Sequence, residues 1–299
     1  MAVEELRELL NRHARPDLST AIDGVQACRF EHASPPVAGM SGTVLAVIAQ
    51  GGKRLALGDQ IYEYGAGQYL VASVDLPVTG HVVDTSEPTL GFGMTLEPGE
   101  IAKLLVEADP RDLPVPPRMA PPGLAVSTAS PELLDAIVRL LRLLDQPADR
   151  AVLAPMVKRE ILWRLLRSEQ GPAIRQLGLA DSGLAHISRA VRWIRVNYAD
   201  AFKVEDLARR VGMSVSAFHR NFQSVTGMSP IQFQKSIRLQ EARLLLAGRP
   251  SDVTGIGLAV GYDSPSQFSR EYRRRFGVPP SQDTALLRAV RPAPAAALP

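Results

Sequence analysis

The feature that most constrains this 299-residue chain is a duplication between positions 204 and 280. Val204, Leu207, Val211 and Gly212 recur as Val253, Ile256, Val260 and Gly261, an offset of 49 residues. Phe218, Phe222, Gly227 and Pro230 recur as Phe268, Tyr272, Gly277 and Pro280, an offset of 50. The one-residue slip falls in the turn, where an insertion costs least. Each copy therefore predicts a helix, a turn containing glycine, a second helix, a glycine stop and a proline, which is a helix-turn-helix unit.

Spacing assigns a face to each residue. In the first unit Leu207 and Val211 line the inside of the leading helix, Gly212 reverses the chain, and Ser214 caps a second helix whose Phe218 and Phe222 point inward. Ser216, His219 and Arg220 then lie on the outer face. In the second unit Asp263 or Ser264 is the cap, Pro265 suits the first turn, and Phe268 and Tyr272 pack inward. That leaves Ser266, Gln267, Ser269 and Arg270 outside, with Arg273, Arg274 and Arg275 extending the positive face. Lys203 is a poor cap for the first helix. Gly255 and Gly257 should loosen the leading helix of the second unit by about 1 kcal/mol each. Between the units, PIQFQKSIRLQEARLLLAG predicts a helical rod of about 25 Å, with Ile231, Phe233, Ile237, Leu239, Ala242, Leu245 and Leu246 as its packing residues. Such a rod can set two helices near the ~34 Å repeat of successive major grooves.

Charge divides the chain in the same way. From Ile187 onward there are 17 Lys and Arg against 8 Asp and Glu, and the preceding 186 residues hold 17 against 23. The basic third suits a polyanionic partner and the acidic remainder does not.

The remainder reads differently. An amphipathic helix ends before Pro16, and from Thr43 to about Leu90 short β-rich runs (TVLAVIA, KRLAL, IYEY, YLVASV, HVVDT) are separated by glycine turns, which implies a sheet or barrel. DPRDLPVPPRMAPPG is an extended connection. A helix capped by Ser130 follows, with Leu133, Leu134, Ile137, Val138, Leu141 and Leu144 at helical spacing. A second runs from about Val152 to Ser168 and carries Met156, Val157, Ile161, Leu165 and Leu166. These stripes are ordinary core, or core that also makes a dimer contact. GPAIRQLGLADSGLAH reads as a linker.

LARRVGMSVSAFHRNFQSVTGMSPIQF, RLQEARLLL and AVGYDSPSQFSREYRRRFGVPP resemble the DNA-binding domain of the AraC/XylS family of bacterial transcription regulators over about 95 residues. QGGKRLALGDQIYEYGAGQYLVASVDLPVTG resembles the amino-terminal domain of one branch of that family. The resemblance implies a cupin-like β-barrel followed by helices used for dimerisation and sensing. It assigns base and phosphate contacts to the outer positions Ser216, His219, Arg220, Ser266, Gln267, Ser269, Arg270 and Arg273. The end of the chain, RAVRPAPAAALP, lacks the family's closing helix signature.

Other chemistries fit poorly. A metal site in the barrel would need clustered His and carboxylates, whereas His81 is alone there and His13, His32, His186 and His219 are far apart in sequence. Gly51-Gly52-Lys53 lacks the remaining positions of a phosphate loop, and Gly65-Ala66-Gly67 lacks those of a dinucleotide fingerprint. Cys28, the single cysteine, forms neither a disulfide nor a thiolate cluster and reads as a core or boundary residue. This also argues against a repair protein that transfers alkyl groups to cysteine. No stretch approaches the ~20 apolar residues of a membrane span, and the start MAVEELRELLN is unlike a signal peptide, so a cytoplasmic protein is expected.

The sequence thus predicts an α+β chain. Residues 1–170 form a cupin-like sensing and dimerisation domain with a helical hairpin, and 171–186 a linker. Residues 187–285 form an all-α domain of two helix-turn-helix units on a linker helix, and 286–299 a disordered tail. The expected function is sequence-specific DNA binding in transcription control, modulated by a small-molecule effector, with no catalysis, cofactor or metal. The alternative is a cupin-type small-molecule enzyme with an appended DNA-binding domain. Double-stranded promoter DNA is the expected partner, RNA polymerase, an effector and a second copy of the chain are candidates, and no membrane is involved.

Overall fold

The computed structural model describes residues 2–83, 86–114, 120–248 and 252–289. Helix α1 (Ala2–His13) precedes β1 (Val25–Phe30), β2 (Val37–Met40), β3 (Val44–Gln50), β4 (Gly52–Leu57), β5 (Gln60–Gly65), β6 (Gln68–Ala72), β7 (Pro77–Val82) and β8 (Thr89–Thr95). Then come α2 (Pro98–Glu107), β9 (Leu124–Thr128), α3 (Pro131–Arg142), α4 (Pro147–Leu166) and α5 (Gly171–Gly178). The basic part holds α6 (Gly183–Val196), α7 (Val204–Arg210), α8 (Val215–Thr226), α9 (Pro230–Gly248), α10 (Val253–Ala259), α11 (Pro265–Phe276) and α12 (Pro280–Ala289).

The expected barrel consists of two antiparallel sheets, ordered β1-β8-β3-β6-β9 and β2-β7-β4-β5. The continuous apolar run of β3 reflects cover on both faces. Leu45, Val47 and Ala49 join a core with Leu6 of α1, Ile137 of α3 and Ile161 of α4. Val44, Ala46 and Ile48 face the other way, into a core shared with Leu55, Leu57 and Tyr64 of the second sheet. Helix α3 begins as the sequence predicts, with the Ser130 hydroxyl accepting from the Leu133 amide at 3.2 Å, and it forms a hairpin with α4. On α4 the expected stripe divides. Ile161, Leu165 and Leu166 are buried, whereas Met156 is 62% exposed beside Val152 and Leu153, which are also exposed.

Three sequence readings need correction. The segment 171–186, read as a linker, is α5 and the start of α6. Ala173 and Ile174 are buried, and the Ser182 hydroxyl caps α6 by accepting from the Ala185 amide at 3.0 Å. The tail read as disordered from 286 is helical through Ala289, because Pro280 starts α12 as Pro230 starts α9; residues 290–299 lie outside the described ones. The extended connection contains a short 3-10 turn at Pro110–Asp112, and its residues 115–119 lie outside the described ones, as do Asp84 and Thr85 of HVVDT.

The core between the sheets does not stop at the β domain. It continues into the first helix-turn-helix unit through Leu184, Phe218, Phe222, Val225 and Phe233. The Gly123 amide donates to the Val225 carbonyl at 2.8 Å, and the Ser224 hydroxyl donates to the Ala120 carbonyl at 2.6 Å. The second unit keeps a separate core of Leu239, Ala242, Leu246, Ile256, Val260, Tyr262, Phe268 and Tyr272.

Candidate nucleic-acid interface

The duplication is carried into three dimensions. Helices α7 and α10 have 7 residues each, and α8 and α11 have 12 each. Between them Gly212 and Gly261 occupy the left-handed region at φ 76° and 90°, which reverses the chain at a position where a Cβ would be strained. The turn hydrogen bonds also correspond, from the Met213 amide to the Ala208 carbonyl at 2.9 Å and from the Tyr262 amide to the Gly257 carbonyl at 3.0 Å.

The outer helices start with the predicted caps. Ser214 accepts from the Ala217 amide and Ser264 from the Gln267 amide, each at 3.3 Å. Asp252 caps α10 through the Gly255 amide at 2.9 Å, whereas Lys203 provides no side-chain cap to α7. Aromatic contacts hold the inner faces. Phe218 and Phe222 lie 5.4 Å apart, Phe222 meets Phe233 of α9 edge to face at 5.5 Å, and Phe268 sits 5.3 Å from Tyr262 and 5.6 Å from Tyr272. Phe218 and Phe268 are completely buried.

With the aromatics inside, Ser216, His219 and Arg220 are exposed on α8, and Ser266, Gln267, Arg270 and Arg273 on α11. Ser269 is half-buried. Among the described residues, the side chains of Arg220, Arg270 and Arg273 make no ion pair, so three permanent charges face solvent uncompensated. Gln267 is steadied by its amide donating to Glu271 at 3.2 Å. Glu271 in turn pairs with Lys235 of α9 at 2.8 Å and accepts from the Tyr262 hydroxyl at 2.8 Å, which fixes α11 to the rod. Arg275 does not extend the positive face. It turns to the β domain and donates to the Thr79 hydroxyl at 3.3 Å.

Sequence reasoning missed a polar set inside the β domain. Lys53 is 5% exposed, stands 5.6 Å from the centre of the Phe30 ring, and pairs in register with Tyr64, which is 2% exposed. Burial holds the Lys53 ammonium well below its ordinary range, at about 8, and raises the Tyr64 phenol. Buried Cys28, nearby, is pushed up to about 12 by burial, so it is an inert core thiol. The hydroxyls of Tyr64 and Thr89 have no hydrogen-bond partner among the described residues. The signal was present in KRLAL, where Lys53 shares the inward parity of Leu55 and Leu57. A separate cleft of about 600 Å³ lies between the end of β8, α2 and α4, lined by Ile22, Met94, Glu97, Arg150, Lys158 and Leu162 among others. Among the described residues no group of three His, Cys, Asp or Glu could hold a metal ion, and no helix is long and apolar enough to cross a membrane.

A two-sheet β domain with a helical hairpin, fused to paired helix-turn-helix units, defines a class of two-part DNA-binding proteins. Residues 21–173 match the family model described as the AraC-type transcriptional regulator N-terminus, and residues 207–285 match a helix-turn-helix domain model. The chain belongs to the AraC-type family of transcriptional regulators. It is 31% identical over 181 residues to the HTH-type transcriptional regulator ExsA of Pseudomonas aeruginosa, covering 60% of this chain and 62% of ExsA. It is 28% identical over 152 residues to the HTH-type transcriptional activator RhaS of Escherichia fergusonii, covering 50% of this chain and 53% of RhaS. The chain thus spans about three fifths or less of the length of these relatives. Its fold is shared with ToxT of Vibrio cholerae at a TM-score of 0.54 and 11% identity, over 89% of this chain and 100% of that one.

Proposed function

We propose that the chain is a sequence-specific DNA-binding regulator of transcription, acting in the cytoplasm without catalysis of its own. One observation carries the reading. Two matching helices, each fixed from behind by buried aromatics, present unpaired arginines to solvent. Arginine and lysine contacts to phosphate would supply affinity, and the outer side chains of α8 and α11 would supply specificity. Promoter DNA is the first partner, and control of transcription there brings RNA polymerase as the second.

Modulation by a small molecule is supported by the polar set around Lys53 and Tyr64 and by the cleft beside α4, whose volume lies in the range of ligand sites. A crystal structure of ToxT holds an unsaturated fatty acid; at 12% identity that likeness concerns the fold and assigns no residue. The exposed Val152, Leu153 and Met156 on α4 support a second copy of the chain as a further partner.

The test is to map genomic DNA bound by the intact protein. The expected result is a recurrent motif with two half-elements about one helical turn apart. Recovery of fragments without any common motif would overturn the reading.

A further inference from the structure

The two units have separate cores, and the second is packed on α9 through Leu239, Ala242 and Leu246 and tied to it by Lys235–Glu271. The contacts that join the chain ahead of the first unit to the turn of the second meet at Arg238, midway along α9. Its Nε donates to the Tyr198 carbonyl at 2.6 Å, and its Nη2 donates to the Ala199 carbonyl at 3.0 Å and the Asp200 carbonyl at 3.3 Å. These three residues lie in the loop between α6 and α7 that leads into the first unit. On the other side, Nη1 donates to the carbonyl of Gly261, in the turn of the second unit, at 2.6 Å. The guanidinium also lies 5.9 Å from the centre of the Tyr262 ring. One helical turn earlier, the Gln234 amide donates to the carbonyls of Tyr198 at 2.9 Å and Asp200 at 2.6 Å.

Gly261 shows how close the approach is. A Cβ there would lie 2.2 Å from the Ala199 carbonyl oxygen and 2.8 Å from the Arg238 guanidinium. At Gly212, its counterpart in the first unit, a Cβ would meet only the His186 ring at 3.7 Å, an ordinary contact. The duplication therefore breaks its symmetry at this joint. A planar fork with five fixed donors on three nitrogens serves all four carbonyls at once, whereas the three donors of a lysine radiate from a single nitrogen and cannot reach all of them.

We propose that Arg238 is the positioning residue that sets the angle between the two reading helices, so that the protein accepts one spacing between two DNA half-elements. The inference rests on the proposed DNA-binding function. Arg238 does not touch DNA in this reading. It acts by holding α11 in register with α8.

The experiment uses the full chain and the duplex that the wild-type protein enriches from a random library, together with the same duplex carrying two added base pairs between its half-elements. The insertion rotates the second element by about 70° and shifts it by about 7 Å. Wild-type protein should bind the inserted duplex at least about tenfold more weakly. Arg238→Met and Arg238→Lys should bind the original duplex about tenfold more weakly than wild type, yet distinguish the two duplexes by less than about threefold. Arg220→Ala, which alters a reading face, should keep the full spacing penalty. Variants that fold, as judged by circular dichroism and melting, and that retain the wild-type spacing penalty would overturn the proposal. So would an equal loss on both duplexes. If the wild-type chain enriches no common motif, the DNA-binding reading itself fails, whereas a motif with a single element overturns the spacing proposal alone. Both outcomes are distinct from a wild-type spacing penalty that the Arg238 variants preserve. Because Arg238→Lys keeps charge and length, it serves as the second variant should Arg238→Met not fold.

Discussion

Gly257 lies beneath the ring of Phe268, so that a Cβ at 257 would come within 3.0 Å of the ring's Cδ1. This contact explains a glycine that costs helix α10 about 1 kcal/mol of intrinsic propensity. Phe268 is wedged between Tyr262 and Tyr272 and cannot retreat. Gly257→Ala should therefore destabilise the protein by about 1–3 kcal/mol despite the better helix former. Gly255→Ala is the contrast. Its Cβ would meet only the Asp252 carboxylate, at 2.3 Å, and that side chain can swing away. Loss of the cap and gain of propensity, each about 1 kcal/mol, should nearly cancel. Urea unfolding of both variants checks the pair, and a neutral Gly257→Ala would remove the packing explanation.

This contact also marks the limit of what could be read from the sequence. The duplication located both helix-turn-helix units, their caps and their inward aromatics, because each depends on residues within one or two turns. The same local logic put Ser216, His219 and Arg220 on the outer face of α8. It could not show why Gly255 and Gly257 are tolerated, since the answer lies on α11 and in a cap. Arg275 departs from its expected outward placement for the same reason, as its partner Thr79 is 196 residues away. In the β domain, KRLAL and YLVASV announced their strands by alternation or β-branching, but TLGFGMT, which forms β8, is interrupted by glycines that weaken the pattern. Helix α5 was concealed by a Gly-Pro start that resembles a loop, although proline in the first turn suits a helix.

Tyr64 and Tyr272 should respond oppositely to loss of the hydroxyl. The Tyr272 hydroxyl donates to Asp283 at 2.7 Å in a fully buried position, so Tyr272→Phe should cost about 1–3 kcal/mol. The Tyr64 hydroxyl is buried without a partner among the described residues. Tyr64→Phe should be neutral or stabilising by about 1 kcal/mol in the absence of an effector. Chemical denaturation of both variants, without added small molecules, makes the comparison. A comparable loss in the two variants would mean that the Tyr64 hydroxyl is already satisfied.

Glu271 should contribute to stability only above the acid range. Burial alone would raise its carboxyl. Hydrogen bonds from Lys235, Gln267 and Tyr262 outweigh that effect and hold it below its ordinary value of 4.5. The unfolded chain therefore takes up a proton at this residue first. The contribution is fully present above about pH 4.5 and is lost as pH falls through the lower folded value. Glu271→Gln should be less stable than wild type near pH 7 and should lose less stability between about pH 5 and pH 3. Parallel acid limbs for the two proteins in denaturant titrations would show that Glu271 has the same proton affinity folded and unfolded.

Arg220 and Arg270 offer the most direct separation of reading from attraction. Neither guanidinium has an ion-pair partner among the described residues, so Arg220→Ala and Arg270→Ala should leave thermal stability nearly unchanged. On the duplex enriched by the wild-type protein, each substitution should cost about 1–3 kcal/mol, with little loss on random DNA, if the arginine reads a base edge. Equal losses on both duplexes would assign that arginine to a phosphate. Arg273 lies one turn further along α11, away from the capped end that would enter a groove first in the proposed binding mode. Arg273→Ala should weaken binding uniformly across sequences and reduce the salt slope by about 1. Titrations at several salt concentrations then distinguish the two kinds of contact, because only a released phosphate contact changes the slope.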